Sequence, residues 1–251
     1  MDPEIYCQMR EVEDTHWWFA ARRLIIATII TSLNLPPESK ILDVGCGTGG
    51  NFEMLSRFGA VTGVEEDEMA ITLCESRDSA IVRKGRIPDD LSCLTEEFDL
   101  IILLDVLEHI EDELAALKSL SPHLSPNGVI IITVPAFPFL WSDHDEQHHH
   151  KRRYRYSTLK HVIQESGFRL CHMTHFNTWL FPVIAVVRLF RRLKPSKVTG
   201  RDNIVPSTWV NKILKAIFSS ERHLVTRFRL HFGTSILAIA KKNREKQAAR
   251  N

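Results

Sequence analysis

Residues 40–50, KILDVGCGTGG, constrain this chain more than any other stretch. A continuous apolar run of strand length passes through Asp43 into glycines at 45, 47 and 50, and a helical pattern follows in NFEMLSRFG (51–59). A turn this tight needs residues that tolerate positive φ, and glycine also lets a ligand approach the backbone closely. A strand that is apolar without alternation is covered on both faces, so its partners are parallel strands joined by helices.

The rest of the sequence repeats that alternation. Strand patterns fall at 60–65 (AVTGVE), 80–85 (AIVRKG), 98–106 (FDLIILLDV), 128–135 (GVIIITVP), 168–176 (FRLCHMTHF) and 235–242 (SILAIAKK). Helical patterns occupy 68–77, 111–124 and 157–167, the last predicted to be capped by Ser157 and closed by Gly167. The expected fold is α/β, a doubly wound, Rossmann-like sheet of seven strands. An N-terminal helical cap (1–37), ended by Pro36-Pro37, precedes a core over 38–176. A helical insert (177–233) separates the last two strands, and 234–251 holds the final strand and a basic tail.

Composition excludes several classes. With 44% hydrophobic and 25% charged residues, the chain is ordinary globular material rather than disordered or coiled-coil. Five scattered cysteines without a C-x-x-C pair fit reduced thiols and a cytoplasmic setting. The first residues are acidic and lack a signal-peptide pattern, and no run reaches the ~20 apolar residues of a spanning helix. The net charge of +1 hides a split: residues 1–176 carry 28 Asp+Glu against 16 Lys+Arg, residues 177–233 carry 2 against 11, and residues 234–251 carry 1 against 5. An acidic body argues against a nucleic-acid partner.

Two carboxylates narrow the ligand. Asp43 ends the first strand inside the turn, and Glu65 ends the second strand 22 residues later, placed to accept bonds from ribose hydroxyls. A nicotinamide dinucleotide needs the helix N-terminus free for its pyrophosphate. An acid in the turn suits a ligand with an ammonium and no phosphate, which points to S-adenosyl-L-methionine. LDVGCGTG followed by an acid closing the next strand resembles the class I S-adenosylmethionine-dependent methyltransferases over roughly residues 38–176. The resemblance implies that Asp43, Gly45, Cys46, Gly47 and Gly49 hold the methionine part and Glu65 the ribose. LLDVLEHI (103–110) resembles the family's fourth-strand tip, which implies Asp105 and Leu107 near the cofactor, with Glu108 and His109 just beyond. Arg86 stands where the family has an acid for the adenine amine.

The stretch HDEQHHHKRRYRYS (144–157) follows the fifth strand, at the sheet edge where such folds bind ligands. Together with HWWF and Arg22-Arg23 near the start, it resembles one bacterial subgroup of the same family, often associated with surface-glycan or lipid-linked metabolites. Methyl transfer from a sulfonium needs chiefly alignment, and a hydroxyl acceptor adds the need for a base. His144, Asp145 and His150 are the candidate bases, with Arg153 and Tyr154 to orient the acceptor. A metal is not expected; were one held, Asp105, Glu108, His109 and His148 are the ligand candidates, by resemblance to quinone-biosynthesis O-methyltransferases. One of Trp17 and Trp18 is expected over the cofactor cleft, with His16 and Arg22 joining the acceptor site.

The insert 177–233 reads as two amphipathic helices with cations at Arg188, Arg191, Arg192, Lys194, Lys197, Lys212, Lys215, Arg222, Arg227 and Arg229. That composition suits a peripheral anchor on anionic membrane, or a helical lid or dimer interface. The function expected is methyl transfer, at oxygen, to a small-molecule or lipid- or glycan-linked acceptor at the cytoplasmic membrane face. Two alternatives stand beside it: an NAD(P)-dependent oxidoreductase using the same turn, and a non-catalytic, membrane-associated S-adenosylmethionine-binding protein.

Overall fold

The computed structural model describes residues 3–193 and 205–243. Lys194, Lys197, the tail 244–251 and the side chains of Arg191 and Arg192 lie outside the described residues. Helices α1 (Pro3–Val12) and α2 (Trp17–Leu33) lead into β1 (Lys40–Val44), α3 (Phe52–Leu55), β2 (Ala60–Glu65), α4 (Glu68–Cys74), β3 (Ile81–Lys84) and β4 (Phe98–Leu104). A 3-10 turn (Leu107–His109), α5 (Glu113–Leu120) and β5 (Leu124–Pro135) follow, then a second 3-10 turn (Pro138–Leu140), α6 (Asp143–Gln147), α7 (Tyr156–Glu165) and β6 (Phe168–Phe176). The chain continues through α8 (Phe181–Leu193), α9 (Thr208–Ser220) and α10 (Arg222–Val225) to β7 (Ser235–Lys242).

The seven strands form one sheet in the order β3-β2-β1-β4-β5-β7-β6. Strands β1 to β5 are parallel, and β7 runs antiparallel to both β5 and β6. Alternate residues serve opposite faces, which explains the unbroken apolar runs. Ile101, Leu103, Ile130 and Ile132 pack with Leu117 of α5 and Leu159 and Ile163 of α7. Leu100, Ile102, Val129 and Ile131 pack with Ile25, Ile26 and Ile29 of α2 and Phe218 of α9.

Two local readings change. Helix α7 starts one residue before Ser157, with Arg155 at its N-cap and no side-chain cap bond. The N-terminal cap contains a separate first helix, α1, which lies over the glycine turn. Glu13, just past α1, accepts hydrogen bonds from Thr48 Oγ1 and Arg77 Nη2, each at 2.7 Å. A Cβ on Gly50 would collide with the Glu13 carboxylate, so the close approach requires glycine there.

Candidate active site

A cavity of about 830 Å³ opens along the C-terminal ends of β1, β2 and β4. The glycine turn, Glu65 and the 85–89 segment form one end; Glu108, His109, His144, His148 and His150 form the other. Both halves of the N-terminal cap and the inner edge of α8 close it over.

At the turn, the Gly45 and Cys46 amides donate to the Val64 carbonyl, at 2.8 and 3.2 Å, locking β1's exit onto β2. Gly45 has φ +65°, and a Cβ there would stand 2.9 Å from Val106, so this position needs glycine both for conformation and for space. Asp43 sits behind this wall, fully buried, with Oδ2 unpartnered among the described residues. Burial pushes its carboxyl up to about 7, while the nearby Arg22 guanidinium pulls the other way. A buried carboxylate held at the edge of ionisation is suited to a cationic ligand group. Glu65 lines the cavity and accepts backbone amides from Gly47 (2.9 Å), Glu66 (2.9 Å) and Asp67 (3.1 Å). Burial raises its carboxyl against those bonds. Oε1 takes the Glu66 and Asp67 amides, so Oε2, which accepts only the Gly47 amide, is the oxygen that retains a lone pair for a ligand hydroxyl.

Trp17, Trp18 and Phe19 all line the cavity, where the sequence predicts one tryptophan. His16 caps α2, its Nδ1 accepting the Trp18 amide at 3.3 Å. Arg22 projects inward, its guanidinium 4.5 Å from the Trp18 ring centroid, and pairs with Asp105 at the β4 tip. Asp105 holds a positive φ of 61° and accepts from Thr133 Oγ1 at 3.2 Å.

The loop after β5 delivers three of the expected residues to the cavity and withdraws two. His144, His150 and Arg153 line it. Asp145 is fully buried behind them: its Oδ1 pairs with His150 Nδ1 at 2.8 Å and accepts from Arg153 Nε at 2.7 Å. Burial pushes Asp145 up, but the bonds from His150 and Arg153 outweigh that and hold it well below the usual carboxylate range. So placed, it contacts His150 and Arg153 and does not line the cavity. Tyr154 belongs to the core, drawn in by a bridge to Ala136, and its hydroxyl donates to Glu113. It does not line the cavity. Leu107 is likewise a core residue, and Val106 lines the cavity instead. Gly49 does not face the cavity; its positive φ of 76° serves the turn.

The metal candidates regroup. Ligand atoms of Glu108, His109 and His150 all lie within 4.8 Å of one another. Asp105 is taken by Arg22 and falls outside this group, as does His148, whose ring lies 4.2 Å from that of His144. Glu108 is fully buried, and neither carboxylate oxygen has a partner among the described residues. Burial and the Asp105 charge raise its carboxyl well above the usual range. Burial lowers the His109 imidazole to about 3, with His150 adding to the effect. Asp89, absent from the sequence-based candidates, lines the end nearest Glu65 and pairs with Arg86 at 2.8 Å. The signal was available: Asp89 lies three residues past the arginine found where an acid is expected.

A family model described as a methyltransferase domain matches residues 17–173. The chain belongs to that family. Methyltransferases of this kind use S-adenosyl-L-methionine as cosubstrate, and the turn, Asp43 and Glu65 are chemically suited to it. The Schizosaccharomyces pombe mitochondrial ubiquinone biosynthesis O-methyltransferase is 33% identical over 141 residues, 49% of this chain and 52% of that protein. The Bradyrhizobium diazoefficiens ubiquinone biosynthesis O-methyltransferase is 32% identical over 112 residues, 41% of this chain and 43% of that protein. The chain thus spans about half the length of the curated relatives it matches. Among solved structures, magnesium protoporphyrin IX methyltransferase from Synechocystis, with bound SAH, aligns over 88% of this chain and 84% of its own. Its TM-score is 0.52 at 13% identity, a likeness of fold.

Proposed function

We propose that this methyltransferase moves the methyl group of S-adenosyl-L-methionine to a hydroxyl oxygen of a small-molecule or lipid- or glycan-linked acceptor, at the cytoplasmic face of a membrane. The observation that carries the reading is the pairing of His150 Nδ1 with buried Asp145 at the cavity end opposite the glycine turn. With Nδ1 committed, Nε2 is the nitrogen left to accept a proton.

The cosubstrate supplies a methyl carbon already activated by an adjacent sulfonium. The chain's residues do the remainder. Asp43 and the turn amides hold the methionine part, Glu65 accepts the ribose hydroxyls, and Asp89 takes the adenine amine in place of the acid that Arg86 displaces. His150 accepts the acceptor's hydroxyl proton as its oxygen bonds to the methyl carbon and the carbon–sulfur pair leaves on sulfur. Asp145 fixes the imidazole and stabilises the imidazolium, while Arg153 and His144 shape the acceptor end. Trp18, Arg22 and α1 exclude water.

The isolated carboxylate of Glu108 favours a second reading. With His109 and His150 it offers one oxygen and two nitrogens, a donor set suited to a borderline divalent cation such as zinc or manganese. Such an ion would polarise the acceptor oxygen, and His150 would then be a ligand rather than a base.

One experiment tests both. Methyl-labelled S-adenosylmethionine is incubated with host extract and wild-type protein, His150→Gln or Glu108→Gln, with and without chelator, alongside calorimetry with S-adenosylhomocysteine. The first reading expects label transfer that falls ~100-fold or more in His150→Gln with unchanged S-adenosylhomocysteine affinity, and no chelator effect. Loss with chelator and in both variants selects the metal. Absence of S-adenosylhomocysteine binding, with binding of a nicotinamide dinucleotide, overturns the methyltransferase reading. Binding without transfer makes the protein a non-catalytic one.

A further inference from the structure

Helices α8 and α9 each carry an apolar row on an exposed face. On α8, Val183, Val186, Val187 and Phe190 recur at i, i+3, i+4 and i+7, the spacing that normally faces a core, yet all four are exposed, Phe190 at 68%. On α9, Trp209, Ile213 and Ile217 recur at i, i+4 and i+8 and are exposed too, Trp209 at 67%. Both helices do have an inner contact. Ile184 of α8 and Leu214 of α9 pack against the same core cluster, so the exposed rows are second apolar faces rather than misplaced first ones.

Charge decides what such a surface fits. The described part of the insert holds a single acid, Glu221, and it is fully buried, accepting the Thr178 and Trp179 amides at 2.7 and 2.8 Å. The exposed charges on α9 itself are cationic, Lys212 and Lys215, and past α10 Arg227 and Arg229 flank the exposed Phe228 in sequence. Tryptophan and phenylalanine with interleaved cations are the composition of a helix lying in the headgroup region of an anionic bilayer. No described helix is long and apolar enough to cross a membrane.

We propose that the outward faces of α8 and α9 form an insertion surface for anionic lipid, which seats the cavity mouth on the bilayer. Val183, Val187 and Arg188 also line the cavity, so one helix forms both its wall and the outward apolar face. An acceptor with its tail in the bilayer reaches the histidine end along α8, a corollary that rests on the methyl-transfer reading. Lipid binding itself does not, because it needs neither cosubstrate nor turnover.

The test is flotation of the full chain with vesicles of phosphatidylcholine alone and of equal phosphatidylcholine and phosphatidylglycerol, at low and high salt. Wild-type protein is expected to float with the anionic vesicles and to be released by salt. Trp209→Ser with Phe190→Ser, and separately Lys212→Glu with Lys215→Glu, are expected to weaken flotation about tenfold or more. These side chains are exposed, so folding is checked by unchanged S-adenosylhomocysteine affinity. Equal flotation of the wild type and both variants overturns the proposal. So does wild-type protein that stays in the aqueous fraction, or a dimer in sizing that dissociates in Trp209→Ser and never floats.

Discussion

Replacing Asp43 with asparagine isolates the cost of holding a charge behind the glycine turn. In the folded protein burial moves this carboxyl from 3.8 to about 7. The folded state therefore keeps a proton that the unfolded chain releases, and stability must fall as pH rises from about 4 to about 7, then level off. A shift of about three units corresponds to ~4 kcal/mol at full ionisation, of which about 2–3 kcal/mol is lost between pH 5 and pH 8. An asparagine at this position would keep the side chain's shape without that titration. The assay is urea denaturation of ligand-free wild type and Asp43→Asn at several pH values across this window, comparing slopes rather than absolute stabilities. Taking the difference between the two proteins cancels the other titrating groups, His109 and Glu108 included. The variant is expected to gain on the wild type by about 2–3 kcal/mol between pH 5 and pH 8, while its affinity for S-adenosylmethionine drops. Parallel pH profiles would refute the reasoning, because they would mean Asp43 is already ionised at pH 5.

Other substitutions test separate parts of the structure. Glu221→Ala strands the Thr178 and Trp179 amides, and a loss of about 2–4 kcal/mol in urea unfolding is expected. Gly49→Ala forces a side chain to adopt φ +76° with its Cβ 2.7 Å from the Phe52 ring, so its thermal midpoint should fall by an amount equivalent to at least ~1–2 kcal/mol. Tyr154→Phe removes only the bond to Glu113; a stability cost of about 1 kcal/mol with methyl transfer unchanged is the expected result, and lost transfer would return Tyr154 to the acceptor site. Asp145→Asn keeps an acceptor for His150 Nδ1 but removes the carboxylate charge behind the ring, so turnover should drop with S-adenosylhomocysteine affinity intact.

The sheet was legible because continuous apolar runs have few other homes. β2, β6 and β7 match their sequence patterns residue for residue, and the other strands differ only at their ends. The glycine turn was legible for the same reason: little but a strand-to-helix ligand turn requires that spacing. Helix α1 was harder. PEIYCQMREV has one good inward side chain, Tyr6, and its place over the turn depends on Glu13 meeting Thr48 and Arg77, residues far along the chain. The histidine loop showed which residue types gather but not which way each points. Asp145 and Tyr154 read as site residues because they neighbour His150 and Arg153 in sequence; a capping box at Ser142 and a bridge to Ala136 turn both inward. Direction inside an irregular loop is set by tertiary partners, which local pattern does not contain.

The last described strand occupies an interior place in the sheet. β7 pairs with β5 on one side and β6 on the other over nearly its whole length. During synthesis, residues 1–234 can assemble no more than a split sheet, with the long edges of β5 and β6 held apart and unpaired. The sheet closes only once β7 has been made. A nonsense mutation a few codons before Ser235 would therefore leave two adhesive edges side by side, and its product should be found in aggregates or with chaperones rather than as a slightly shortened enzyme.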